Sequence, residues 1–262
     1  MKNCDCVKRF QEYLQIKTVH PHPDYAKAVQ YLKQIGESIP LKCEVFTITS
    51  GNLLLIMTLE GTEPSLPSIL LNSHMDVVPV YEEKWKYDPF SGHIDEKGDI
   101  YGRGSQDMKN VGMQYLEAIL HLKRQGKTFK RTIHLSFVPD EEMGGKLGMA
   151  KFIETDSFKK LNVGVCLDEG IATEDDKFLL DKFLDIRESE KARMKWNPSL
   201  TMGDLMTVNL TELSKLIPAY GFSPIIKTPV LLHDNDERLN KDVYLEGIRI
   251  YEQLIEELAN VP

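Results

Sequence analysis

The chain has 262 residues, 42% hydrophobic and 27% charged, the profile of a soluble globular protein large enough for one big domain or two small ones. Its 32 basic and 40 acidic residues give a net charge of −8. That balance argues against a general nucleic-acid binder, and the densest basic run, KRQGKTFKR (123–131), reads as a solvated helix end. The first residues, MKNCDCVKRFQEYLQ, have no apolar leader core, and no window approaches the roughly 18 uninterrupted apolar residues of a membrane span.

Taken in order, residues 5–17 place Val7, Phe10, Tyr13 and Leu14 on one helical face, and 23–40 repeat the pattern with Ala28, Val29, Leu32 and Ile35. Apolar runs at 43–49, 52–61 and 68–74 predict strands, followed by a polar, aromatic loop at 81–104. A helix is predicted over 111–124, a strand over 132–140, a helix over 146–155 and a strand over 163–170. A charged long-helix pattern and one strand occupy 173–216, too little for an independent domain. A strong helix at 242–261 closes the chain. The alternation of helices with continuously apolar strands predicts an α/β sheet buried on both faces. The cysteines Cys4, Cys6, Cys43 and Cys166 lack the second pair of a zinc site and read as free thiols of a reducing, cytoplasmic protein.

In such sheets ligands sit beyond the carboxyl ends of the strands. Three predicted strands end in acidic or imidazole groups: S-H-M-D (73–76), P-D-E-E (139–142) and L-D-E-G (167–170). His74 and Asp76 are two apart, so in a strand both point the same way. Glu141 and Glu142 are adjacent and face opposite ways in an extended segment. Asp107 follows a glycine-rich stretch just before a helix, and His233 lies in LLHDND. A two-zinc hydrolytic site needs imidazole and carboxylate ligands, a bridging carboxylate and a further carboxylate as base. These residues supply that set. Each piece also has an ordinary reading: H-x-D as a strand-to-loop transition, D-E-E as an exposed turn or helix start. His20 and His22 flank prolines in a loop, His121 lies among charges on a helix, and His134 reads as a packed or hydrogen-bonded strand imidazole.

The stretches SILLNSHMDVVPV, WKYDPFSGHIDEKGDIYGRGSQDMK, RTIHLSFVPDEEMGG, CLDEGIA and TPVLLHDNDERL resemble the zinc peptidase family that holds carboxypeptidase G, acetylornithine deacetylase and succinyl-diaminopimelate desuccinylase, and most nearly its aminoacylase members. The resemblance implies a three-layer zinc-exopeptidase-like catalytic domain with a mixed, mostly parallel sheet. That domain would be formed by 1–172 and 217–262, with 173–216 a remnant of a smaller lid and dimerisation domain. It implies two Zn2+ per subunit: His74 and Glu169 on the first, Glu142 and His233 on the second, and Asp107 bridging. It further implies Glu141 as general base, Asp76 hydrogen-bonded to the His74 ring, and a cis bond at Asp107–Met108. The implied substrate is a small N-acyl-L-amino acid, hydrolysed to a carboxylate and a free amino acid; a dipeptidase or other deacylase is the alternative within the family. The family's lid carries a G-x-P-G-H motif whose histidine reaches the partner subunit's site. This sequence has no such motif, which raises the further alternative of a non-catalytic zinc-binding remnant and makes dimerisation through the lid doubtful.

Overall fold

The computed structural model describes residues 3–39, 41–174 and 213–261. The helix and strand expected within 175–212, and with them most of the expected lid remnant, lie outside the described residues.

Two amphipathic helices open the chain, α1 (Asn3–Leu14) and α2 (Tyr25–Glu37). The carboxylate of Asp24 accepts the Lys27 main-chain N–H at 3.0 Å and so caps α2. The central sheet contains β1 (Lys42–Thr49), β2 (Asn52–Leu59), β3 (Ser68–His74), β6 (Ile133–Val138), β7 (Val163–Asp168) and β8 (Ala219–Gly221), in the order β1-β2-β6-β3-β7-β8. The β1–β2 and β2–β6 pairs are antiparallel; β6–β3, β3–β7 and β7–β8 are parallel. The sheet is therefore mixed and mostly parallel.

Period-two alternation along the strands sorts the core into two layers. Leu55, Met57 and Leu59 of β2 and Ile69 and Leu71 of β3 pack with α1, α2, α3 (Lys109–Arg124) and the C-terminal helix α6 (Lys241–Asn260). Leu54, Ile56 and Leu70 face the other way, onto Met149 and Phe152 of α4 (Met149–Phe152) and Phe158 of α5 (Asp156–Lys160). Helices thus cover both faces, the expected three layers. The single helix expected over 146–155 is shorter and is followed by a second, because Thr155 starts α5 by accepting the Phe158 N–H.

Two features differ from the sequence reading. β1 is an edge strand and none of its residues is fully buried, although its composition reads as an interior strand. The expected loop at 81–104 contains β4 (His93–Ile94) and β5 (Asp99–Tyr101), which form a small antiparallel sheet with β9 (Arg238–Asn240). Strands of two or three residues are too short to show periodicity. This small sheet ties the C-terminal segment to the site loops.

His134 behaves as its strand position implies. Its ring meets Thr58 Oγ1 at 2.9 Å and the Leu161 carbonyl at 3.1 Å. Burial pushes its pKa below the ordinary histidine value. Below about pH 6.5 the unfolded chain gains a proton that the folded one resists, so stability falls with pH in that range. Urea midpoints at pH 7.5 and 5.5 should therefore differ less in His134→Gln than in the parent; an equal difference contradicts this account. Packing offers a second test. A Cβ at Gly112 of α3 would lie 2.5 Å from Ser73 Oγ and 2.9 Å from Phe137 Cε1. Gly112→Val should cost at least about 1–3 kcal/mol in urea unfolding, and no loss would show that α3 does not lie this close to β3 and β6.

Candidate metal centre

The parallel pairing of β3, β6 and β7 brings their carboxyl ends to one edge of the sheet, with His74 level with Val138. His74 ends β3, Glu141 and Glu142 follow β6 in a short 3-10 turn, and Glu169 follows β7. Asp107 arrives from the loop before α3, and His233 from the turn at 232–236, where its φ is +61°. All six residues meet at one place.

Asp107 lies at the middle. Its Oδ1 is 2.9 Å from His74 Nε2 and its Oδ2 is 3.0 Å from His233 Nε2. His74 Nε2 is also 3.4 Å from Glu169 Oε1 and 3.9 Å from Glu141 Oε2. His233 Nε2 is 3.1 Å from Glu142 Oε2. Each imidazole therefore faces one oxygen of Asp107 and one oxygen of a private glutamate. The peptide bond Asp107–Met108 is cis, as the resemblance implies.

The electrostatics follow from this packing. Burial works against a charged His74, but Glu169 and Asp107 outweigh it and raise its pKa well above the ordinary value. Hydrogen bonds to Asp107 and Glu142 raise His233 to about 10. Burial works against the Asp107 charge, and His233 and His74 more than compensate, holding it below the usual carboxylate range. Glu169, buried and beside the Asp107 charge, is pushed well up. The cluster is an acidic pocket whose carboxylates favour a proton on each of the two imidazoles. Imidazole nitrogen with carboxylate oxygen is the donor chemistry of zinc and similar divalent ions, whose binding displaces such protons. Glu142 Oε1 is buried and has no hydrogen-bond partner among the described residues. The donor set and this unpartnered oxygen both fit a bound cation.

Asp76 reaches the His74 ring through its main chain rather than its carboxylate. The His74 ring Nδ1 bonds the main-chain carbonyl of Asp76 at 2.9 Å, while the nearer carboxylate oxygen is 3.7 Å away. That carboxylate accepts the main-chain N–H groups of Glu141 (3.1 Å) and Glu142 (3.0 Å) and meets His20 Nε2 at 2.8 Å. These donors turn it away from the ring. Asp76 thus caps the turn that presents both glutamates, and its main chain orients His74. His20, read from the sequence as a loop residue beside a proline, is part of this arrangement.

A second Cys/His/Glu cluster, Cys6, Glu117 and His121, lies away from the site. Its donors are engaged: Arg9 holds both oxygens of Glu117, Glu252 meets the His121 ring at 2.6 Å, and burial pushes the Cys6 thiol to about 12. It ties α1, α3 and α6 together as an ion-paired brace.

A mostly parallel sheet with clustered imidazoles and carboxylates at its carboxyl edge defines a metal-dependent hydrolase class. Residues 70–186 match the family described as Peptidase family M20/M25/M40. Aminoacylase-1 of Mus musculus is 33% identical, over an alignment covering 98% of this chain and 96% of the mouse protein. Aminoacylase-1 of Dictyostelium discoideum is 31% identical, covering 96% and 97%. The chain belongs to this metallopeptidase family and within it is similar to the aminoacylase-1 proteins. The mouse alignment runs over 390 positions against 262 residues here, so the relatives hold internal segments with no counterpart in this chain. Two solved structures share the fold. The M20 metallo-carboxypeptidase Sso-CP2 from Sulfolobus solfataricus superposes with a TM-score of 0.58 at 24% identity, over 64% of this chain and 38% of its own. Aminopeptidase PepT from Bacillus cereus gives 0.67 at 12% identity, over 99% and 100%.

Removing the Asp76 carboxylate leaves two buried N–H groups without an acceptor. Asp76→Ala should lower the stability of the metal-free protein by about 3 kcal/mol in urea unfolding; a loss under 1 kcal/mol would show that the cap carries little of the turn.

Proposed function

We propose that this chain is a zinc-dependent amidohydrolase that cleaves small N-acyl-L-amino acids to a carboxylate and a free L-amino acid. The observation that most supports this is Asp107, with one oxygen toward each of two imidazoles that have their own glutamates. His74, Glu169 and Asp107 would hold one zinc ion; His233, Glu142 and Asp107 the other. Zinc bound there supplies a Lewis acid for the scissile carbonyl and a water of lowered pKa. Glu141 is the general base. Its buried carboxylate lies beside His74, and its main-chain N–H is fixed by Asp76. It takes a proton from the attacking water as oxygen bonds to the carbonyl carbon. It returns that proton to the departing nitrogen as the C–N bond breaks. The cytoplasm is the proposed location: Cys6, Cys43 and Cys166 are free thiols, and no helix among the described residues is long and apolar enough to cross a membrane.

One observation favours a second reading, a metal-binding chain without turnover. The sequence contains no G-x-P-G-H motif, and on our proposal the segments without counterpart include the lid that carries it. Loss of one oxyanion donor costs roughly 100–1000-fold in rate, so the activity proposed here is slow.

Zinc content and hydrolysis of N-acetyl-methionine, measured on the same preparation, separate the two. Two zinc ions with slow turnover, reduced about 100-fold or more in Glu141→Gln with zinc retained, support the hydrolase. Zinc without turnover supports the binding-only reading. No zinc excludes both.

A further inference from the structure

The two halves of the site are anchored by different means. His74 and Glu169 are attached to the sheet: His74 is the last residue of β3, is fully buried, and has its ring fixed by the Asp76 carbonyl, while Glu169 directly follows β7. His233 stands on a turn instead. Its side chain is 50% exposed, and both it and Asp236 have positive φ, a conformation that costs a non-glycine residue energy. The position of this histidine must come from whatever holds the turn.

Two residues that serve no ligand role in the scheme above do so. Gln106, beside Asp107, sends its amide across to the segment at 229–238. Its Nε2 donates to the carbonyls of Pro229 (2.9 Å) and Arg238 (2.8 Å), and its Oε1 accepts the Leu231 N–H (3.0 Å). Those three partners bracket the His233 turn on both sides. Glu237 reaches back in the opposite direction. Its Oε1 accepts the N–H groups of Gln106 (2.6 Å) and Asp107 (3.2 Å), and its Oε2 accepts Gly104 N–H (3.1 Å) and Arg103 NH1 (2.7 Å). Both side chains are buried, Glu237 fully. The loop carrying Asp107 and the turn carrying His233 are thus joined reciprocally, each by a side chain from the other. Among the described residues, Lys86 N–H to Asp236 and Gly102 N–H to the Glu237 carbonyl hold the C-terminal side of the turn from other segments, and Asp234 N–H to the Leu231 carbonyl closes it locally.

We propose that Gln106 is a positioning residue for the His233 half of the metal centre. Its three bonds set the His233 turn against Asp107 and Glu142, while Glu237 holds the main chain of the shared Asp107 and the His74–Glu169 half depends on the strand ends. This rests on the two-metal reading and adds that the two metal positions are separately tunable. Loosening the joint should weaken one ion and spare the other.

The test uses the full chain, stripped of metal and titrated with zinc against a chromophoric chelator, with bound zinc counted by mass spectrometry. Gln106→Met keeps the size and charge of the side chain and removes all three bonds. Wild type should bind two ions. In Gln106→Met the tighter or looser of the two steps should weaken about 10–100-fold, with the other step unchanged and the circular dichroism spectrum native. A general loss of structure would move both steps together. Gln106→Asn, which keeps the amide but shortens its reach, is read the same way if Gln106→Met does not fold. Two ions bound with unchanged affinities, or both weakened alike, overturn the assignment. A wild type that binds fewer than two ions sinks the metal reading itself and this assignment with it.

Discussion

The site depends on one carboxylate shared between two imidazoles. Asp107 faces His74 with one oxygen and His233 with the other, at 2.9 and 3.0 Å. Neither histidine is near it in sequence, so the sheet, α3 and the C-terminal segment must all be in place before the three groups meet. Glu141, Glu142 and Glu169 then crowd around the same point. Like charges this close repel, and burial in low dielectric raises the cost. The packing answers this by setting an imidazole nitrogen within 4 Å of each carboxylate, a place that divalent metal would share in the proposed working state.

The architecture explains why these groups converge. Parallel pairing of β6, β3 and β7 aligns three carboxyl ends, and the backbone beyond each end is free to turn. Asp76 shows how that freedom is limited. Its carboxylate fixes the turn of Glu141 and Glu142, and its carbonyl fixes the His74 ring. One residue therefore sets three of the groups that the proposed chemistry requires. Tyr25 adds to the same turn, its hydroxyl accepting the Asp140 N–H at 3.0 Å.

Much of this could be read from the sequence, and the gaps have physical causes. Long apolar runs and helical periodicity gave the central strands and helices, and the acidic or imidazole strand ends pointed to one edge. His233 could be joined to Asp107 only through the family resemblance, because no spacing rule links residues so far apart. The β4–β5–β9 sheet was missed because its strands are shorter than one hydrophobic period. The bond from Asp76 to the His74 ring agrees with the resemblance, but that it runs through the carbonyl while the carboxylate takes main-chain donors is not legible, because sequence does not say which of several donors a carboxylate takes. The roles of Gln106, Glu237 and His20 are not legible in the sequence because they serve main-chain groups and a neighbouring carboxylate, and such partners leave no pattern in a single sequence.

The central claim is that Asp107 joins two metal positions with different remaining ligands. A zinc-loaded crystal structure with anomalous diffraction at the zinc edge tests it most directly. The account predicts two peaks bridged by Asp107, one bonded to His74 and Glu169, the other to His233 and Glu142. A single peak, or two peaks with Asp107 bonded to neither or to only one, would contradict it.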